Sequence, residues 1–162
     1  MSSYVLRTDE EKEKSRQENS FKGGASWFLM IFGFSVMNMV FVFFHKGSYV
    51  PIGLGLNEWI LGFVLGYQGI TMADLTGFHF VLMLLFPMLF LFIWIKRKNK
   101  KVYLTGMIIY GIDTLFSLFS LFLVKYWIGF ALHLSVLLML YGGYRALKKY
   151  LFTENTYKIE TS

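Results

Sequence analysis

Four apolar runs, at positions 25–44, 75–95, 102–124 and 126–147, leave this chain few folds to adopt. Each is near the roughly 20 residues that a helix needs to cross about 30 Å of hydrocarbon, where every backbone N–H and C=O must be bonded within its own segment. The chain has 162 residues, of which 56% are hydrophobic and 20% aromatic, more apolar surface than one soluble core of this size can hide. The pattern predicts an all-α, polytopic membrane bundle of four transmembrane helices. A fifth run, 50–70, contains five glycines together with Pro51, Asn57 and Glu58, which suits a lipid-facing span poorly. It reads as a Gly-rich re-entrant or interfacial half-helix on the outer face, marked by Gly53, Gly55 and Glu58. Three parts follow: a charged tail at 1–24, the bundle at 25–147 and a second tail at 148–162.

The cations sit at the ends of the apolar runs. Lys96, Arg97, Lys98, Lys100 and Lys101 separate the second and third, and Arg145, Lys148 and Lys149 close the fourth. The positive-inside rule places both groups in the cytoplasm. Five cations precede the first run and Lys46 alone follows it, so both termini are expected inside. The first 24 residues are polar and no small-residue cleavage site follows, so no cleavable signal peptide is expected. A formal charge of +6 arranged this way fits topology and anionic lipid, not nucleic acid. The absence of cysteine excludes disulfides, thiolate metal sites and cysteine nucleophiles.

Asp113 lies near the centre of the 102–124 run, where a charged carboxylate costs about 2.5–3.5 kcal/mol on insertion scales. Such a group faces a bundle interior, a cavity or a partner. Gly106, Tyr110, Asp113, Ser117 and Ser120 recur at helical steps of three and four; so do Gly129, His133, Val136, Leu140 and Gly143, and Ile31, Ser35, Asn38, Val42 and His45. At 1.5 Å per residue, His79, Asn38 and His133 fall about 6–10 Å below the outer boundary and Asp113 about 16 Å below it. Asn38, Asp113, His133, His79 and Ser117 are therefore the candidate intramembrane polar cluster. Asp113 and His133, on adjacent antiparallel helices, are expected to pair.

Polar side chains on small-residue faces first of all bind helices to one another. Three other uses compete. His79, His133 and Asp113 or Glu58 offer a ligand set for zinc or iron, although no HxxxH, HxxE or HExxH spacing is present. His79 and His133 lie at similar depths, as a bis-histidine haem would require. Asp113, His133 and Ser117 could pass a proton or small solute. No GxSxG elbow or Ser-Lys spacing marks a nucleophile, the glycines lack the Lys-Ser/Thr ending of a phosphate loop, and no internal repeat suggests a transporter built from inverted halves. Pro87 predicts a kink near Met83.

Gly24-Ala25-Ser26-Trp27-Phe28, the stretch 35–38, Ile52-Gly53-Leu54-Gly55-Leu56, Tyr110-Gly111-Ile112-Asp113 and Gly129-Phe130-Ala131-Leu132-His133 together resemble a family of small, uncharacterised four-helix bacterial integral membrane proteins. The resemblance covers roughly 24–147 and implies a bundle with Asn38, Asp113 and His133 as its polar features, without an activity. Glu58 departs from it, standing where an uncharged amide is expected. The chain is thus expected to be a multi-pass protein of the bacterial inner membrane. It is expected to be a non-catalytic accessory or assembly subunit that packs in the lipid bilayer against another membrane protein or itself, with no cofactor. A small transport or proton-relay protein is the alternative, and an intramembrane metal-dependent enzyme comes third.

Overall fold

The computed structural model describes residues 9–43, 77–124 and 127–160. These form four helices and, among the described residues, no strand: α1 (Asp9–Phe43), α2 (Gly77–Ile95), α3 (Lys100–Val124) and α4 (Trp127–Glu160). Helices α1 and α4 each contain a stretch long and apolar enough to cross a membrane, Glu11–Phe41 and Trp127–Glu154, and α2 has a shorter apolar stretch, Met83–Ile95. The outer-face element at 50–70, with Gly53, Gly55 and Glu58, lies outside the described residues, as does the side chain of His79.

α1 begins well before the apolar run. Its charged first half is made of good helix formers whose side chains meet one turn apart: Lys12 reaches Asp9 at 3.1 Å, Gln17 donates to Glu13 at 3.0 Å and Lys22 reaches Glu18 at 2.8 Å. α4 likewise continues past Leu147 through the basic residues into the tail. α2 is helical on both sides of Pro87, whose ring is buried. A tight turn joins α2 to α3, and Asn99 caps the new helix by accepting from the backbone N–H groups of Lys101 (3.0 Å) and Val102 (3.3 Å).

α1 is the central element, packing most extensively on α4 and next on α2, while α3 lies against α4. Its buried face runs Phe21, Ala25, Phe28, Ile31, Ser35 and Asn38, and the facing stripe of α4 is Gly129, His133, Val136, Leu140, Gly143, Leu147 and Tyr150. The α4 stripe alternates steps of four and three, the 3.5-residue seam on which two helices stay in contact over a long distance. Phe21 meets Tyr150 with ring centroids 5.3 Å apart, and Gly24 lies against Gly143, so α1 and α4 are antiparallel.

The Gly24 contact is closer than side chains would permit. A Cβ added at Gly24 would stand 2.5 Å from the Cα of Gly143, and one at Gly143 would meet the Tyr103 hydroxyl and Gly24. Tyr103 packs edge-on against Phe28 at 5.0 Å and donates its hydroxyl to the Leu140 carbonyl at 3.2 Å. A Cβ at Gly106 would strike both Ile93 and Phe28, so α1, α2 and α3 converge there. Missing side chains thus let three helices approach α1 at one level, and dispersion contacts replace the volume given up.

Candidate functional site

Carrying the Gly24–Gly143 register along the bundle brings polar residues together. Ser35 lies 11 residues beyond Gly24 and His133 lies 10 residues before Gly143, so antiparallel α1 and α4 present them at similar height, about 15 Å above the glycine contact. Asp113 occupies the same level of α3, 10 residues beyond Tyr103. Ser35, Asn38, Asp113, Thr114 and His133 are all buried, contributed by α1, α3 and α4.

Within this layer Asp113 Oδ2 approaches His133 Nδ1 at 3.3 Å, with both side chains no more than 5% exposed. The oxygen is at ion-pair distance but out of line with a ring N–H, so Nδ1 makes no hydrogen bond. The imidazole face is covered by Tyr110, whose ring stacks on it at 5.5 Å with planes 7° apart, and Phe90 from α2 meets Tyr110 edge-on at 6.2 Å. The Tyr110 hydroxyl is fully buried and lacks a hydrogen-bond partner. Thr114 spends its hydroxyl on the Tyr110 carbonyl one turn back, at 2.9 Å. That contact satisfies the threonine without linking helices.

The arrangement can hold charge or a proton between α3 and α4 beneath an aromatic cover. It buries an acid and an imidazole together, and their contact offsets part of what burying either alone would cost. Ser35 and Asn38 are buried on the α1 side and both make polar interactions. Ser117 lies one turn beyond Asp113 and is half-buried. Among the described residues, no group of three His, Cys, Asp or Glu side chains could hold a metal ion. The ligand sets that include His79 or Glu58 involve side chains outside the described residues.

Two participants were not singled out as site residues by sequence. Tyr110 shares the helical spacing of Asp113, but nothing in that spacing says its ring covers an imidazole. Thr114 sits beside that face and carries no signal of its own in the sequence. No family model, curated protein or solved structure matches the chain, so the functional reading rests on this geometry.

Proposed function

We propose that the chain is a multi-pass protein of a bacterial inner membrane, with four spans and both termini in the cytoplasm, acting as a non-catalytic accessory or assembly subunit of a larger membrane complex or of its own oligomer. One observation carries this reading: polarity is turned inward. Asp113 is 3% exposed while Leu115, on the same helix, is 64% exposed, and on α4 His133 at 4% contrasts with Leu138 at 62%. The outward residues Ile108, Ile112 and Leu115 on α3, and Val81, Leu85 and Phe92 on α2, form continuous apolar faces suited to acyl chains or neighbouring helices. The interior pair then serves to fix which helices pack together.

Purification from native membranes in a mild detergent tests the role. A stoichiometric membrane partner or a defined oligomer is the expected result; a lone monomer refutes it. The topology is tested with Ser3→Cys, Ser48→Cys and Lys98→Cys variants and an impermeant thiol reagent on intact cells. Labelling at position 48 alone is expected, whereas labelling at position 3 requires an external N-terminus and a fifth span.

A second reading, a small transport or proton-relay protein, is favoured by the Asp113–His133 contact and the unpartnered Tyr110 hydroxyl beside it. Its test is pH-gradient-driven flux in proteoliposomes. Flux abolished by Asp113→Asn in a protein that still folds would select it over the accessory role.

A further inference from the structure

The basic end of the bundle is more concentrated than orientation alone requires. The segments 96–101 and 145–149 carry eight cations and no acid. Lys96, Lys98, Lys100, Lys101, Arg145, Lys148 and Lys149 are exposed. The fold brings these two segments side by side: Tyr103 donates to the Leu140 carbonyl, and the Tyr103 and Tyr144 rings lie 6.0 Å apart. Lys100 is one turn before Tyr103 and Lys148 one turn after Tyr144, so both basic groups flank a common contact between helices whose axes are typically about 8–10 Å apart.

The turn that presents the first group is fixed. Arg97 lies over the Trp94 ring at 4.7 Å and donates to the Trp94 carbonyl at 3.1 Å, while Asn99 N–H donates to the Lys96 carbonyl at 2.9 Å and the Asn99 side chain caps α3. One α1 carboxylate facing this end, Glu18, already holds Lys22 at 2.8 Å and feels Lys98 from across the bundle. Glu154 lies farther along α4, beyond the basic group. Directly beside the charge is apolar surface: Ile95 and Phe92 at the end of α2 and Tyr141 on α4 are all exposed.

We propose that this end of the bundle is a binding site for an anionic phospholipid whose headgroup carries two phosphates, one set against the α2–α3 turn and the other against Arg145, Lys148 and Lys149. The inference rests on the membrane-spanning reading above. Exposed lysines on a turn that directly follows exposed Ile95 and Phe92 match an amphiphile, with phosphate on the lysines and acyl chain along α2. Free phosphate would use the charge and leave the apolar wall without a role. Two separate basic groups on neighbouring helices favour a two-phosphate headgroup over a single one.

The experiment measures the melting temperature of the full chain in phosphatidylcholine vesicles, then with phosphatidylglycerol or diphosphatidylglycerol added at equal total phosphate. Diphosphatidylglycerol should raise it by about 5 °C or more near saturation, phosphatidylglycerol by less, and inorganic phosphate not at all. Two triple variants, Lys98→Gln/Lys100→Gln/Lys101→Gln and Arg145→Gln/Lys148→Gln/Lys149→Gln, should each lose the added stability, read for every variant as its melting temperature with the anionic lipid minus its own in phosphatidylcholine alone. Because loss of cations can also disturb insertion, the headgroup preference of the wild type is decisive by itself. Equal shifts from phosphatidylglycerol and diphosphatidylglycerol, or no shift from either over phosphatidylcholine alone, overturn the proposal, and so does an inorganic phosphate shift matching that of the lipid, which would assign a free-phosphate site. A chain that enters phosphatidylcholine vesicles but shows no preference defeats this inference alone; a chain that never enters them defeats the membrane reading.

Discussion

Two layers of the same bundle, about 15 Å apart, hold α1, α3 and α4 together by opposite means. The lower layer is built from absent side chains: Gly24 and Gly143 bring backbones into contact, and Tyr103 fills the remaining space with its hydroxyl bonded to Leu140. The upper layer is built from polar ones, Asp113 against His133 under the Tyr110 ring. Tyr103 and Tyr110 sharpen the contrast, since they are seven residues apart on one face of α3 and both fully buried, yet only Tyr103 has a partner for its hydroxyl. Steric contact locates the helices at one level with nothing left over. At the other, polar groups are enclosed before all of them are satisfied, which is how a site differs from a joint.

The largest effect should come from breaking the upper pair. His133→Leu leaves the Asp113 carboxylate buried without its imidazole and should cost about 3–5 kcal/mol in unfolding experiments in mild detergent. The double variant Asp113→Leu/His133→Leu, which removes both polar groups, should recover most of that loss. Losses that simply add in the double variant would mean that the two residues do not act as a pair.

Next is the lower layer. Gly143→Ala should cost about 1–3 kcal/mol, because the new methyl meets the backbone of Gly24, which cannot move without displacing a helix, and the Tyr103 hydroxyl, which can shift only by giving up its bond to Leu140. Gly142, its immediate neighbour, has open space around the same position. Gly142→Ala should therefore be neutral or stabilising by about 0.5–1 kcal/mol through helix propensity. Equal losses at the two positions, measured by the same unfolding assay, would show that close approach is not what the lower layer depends on.

The upper layer was the more legible in the sequence, for a physical reason. An ionisable residue in an apolar run stands out, and helical spacing with antiparallel depth suffices to bring Asp113 near His133. The lower layer depends on positions far apart in the chain. Gly24 and Gly143 each look like ordinary small residues until the register sets them opposite one another, and no spacing rule predicts that the Tyr103 hydroxyl will find the Leu140 carbonyl. The helix bounds were obscured for a different reason. Apolar length measures the thickness of a bilayer, not the extent of a helix, so the charged turns from Asp9 and beyond Leu147 read as tails although both are helical, the first with side-chain pairs one turn apart.

Matched hydroxyl deletions give a smaller but more discriminating test. Tyr103→Phe removes a bond and leaves the rings in place, so it should cost about 0.6–1 kcal/mol. Tyr110→Phe removes a buried hydroxyl that has no partner and should be neutral or slightly stabilising. If the second substitution destabilises as much as the first, the Tyr110 hydroxyl has a bonding partner in the folded protein and the upper layer is as complete as the lower.

The smallest effect lies just below the glycine contact and asks whether the lower layer is independent of pH. The Lys22 ammonium, hydrogen-bonded to Glu18, holds the glutamate carboxyl below its ordinary range, with burial opposing and the charges of Lys22, Lys98 and Lys14 assisting. A carboxyl held low in the folded state adds stability above its unfolded value, and that stability disappears as pH falls through the folded one. The pair is partly exposed, so its contribution should be only about 0.3–0.5 kcal/mol. Wild type should thus exceed Glu18→Gln by this small margin at neutral pH, and the two melting curves should converge once Glu18 is protonated, below the usual carboxylate range. If the difference persists in acid, Glu18 acts through packing near Phe21 and Tyr150, and the steric layer extends a turn lower than its glycines.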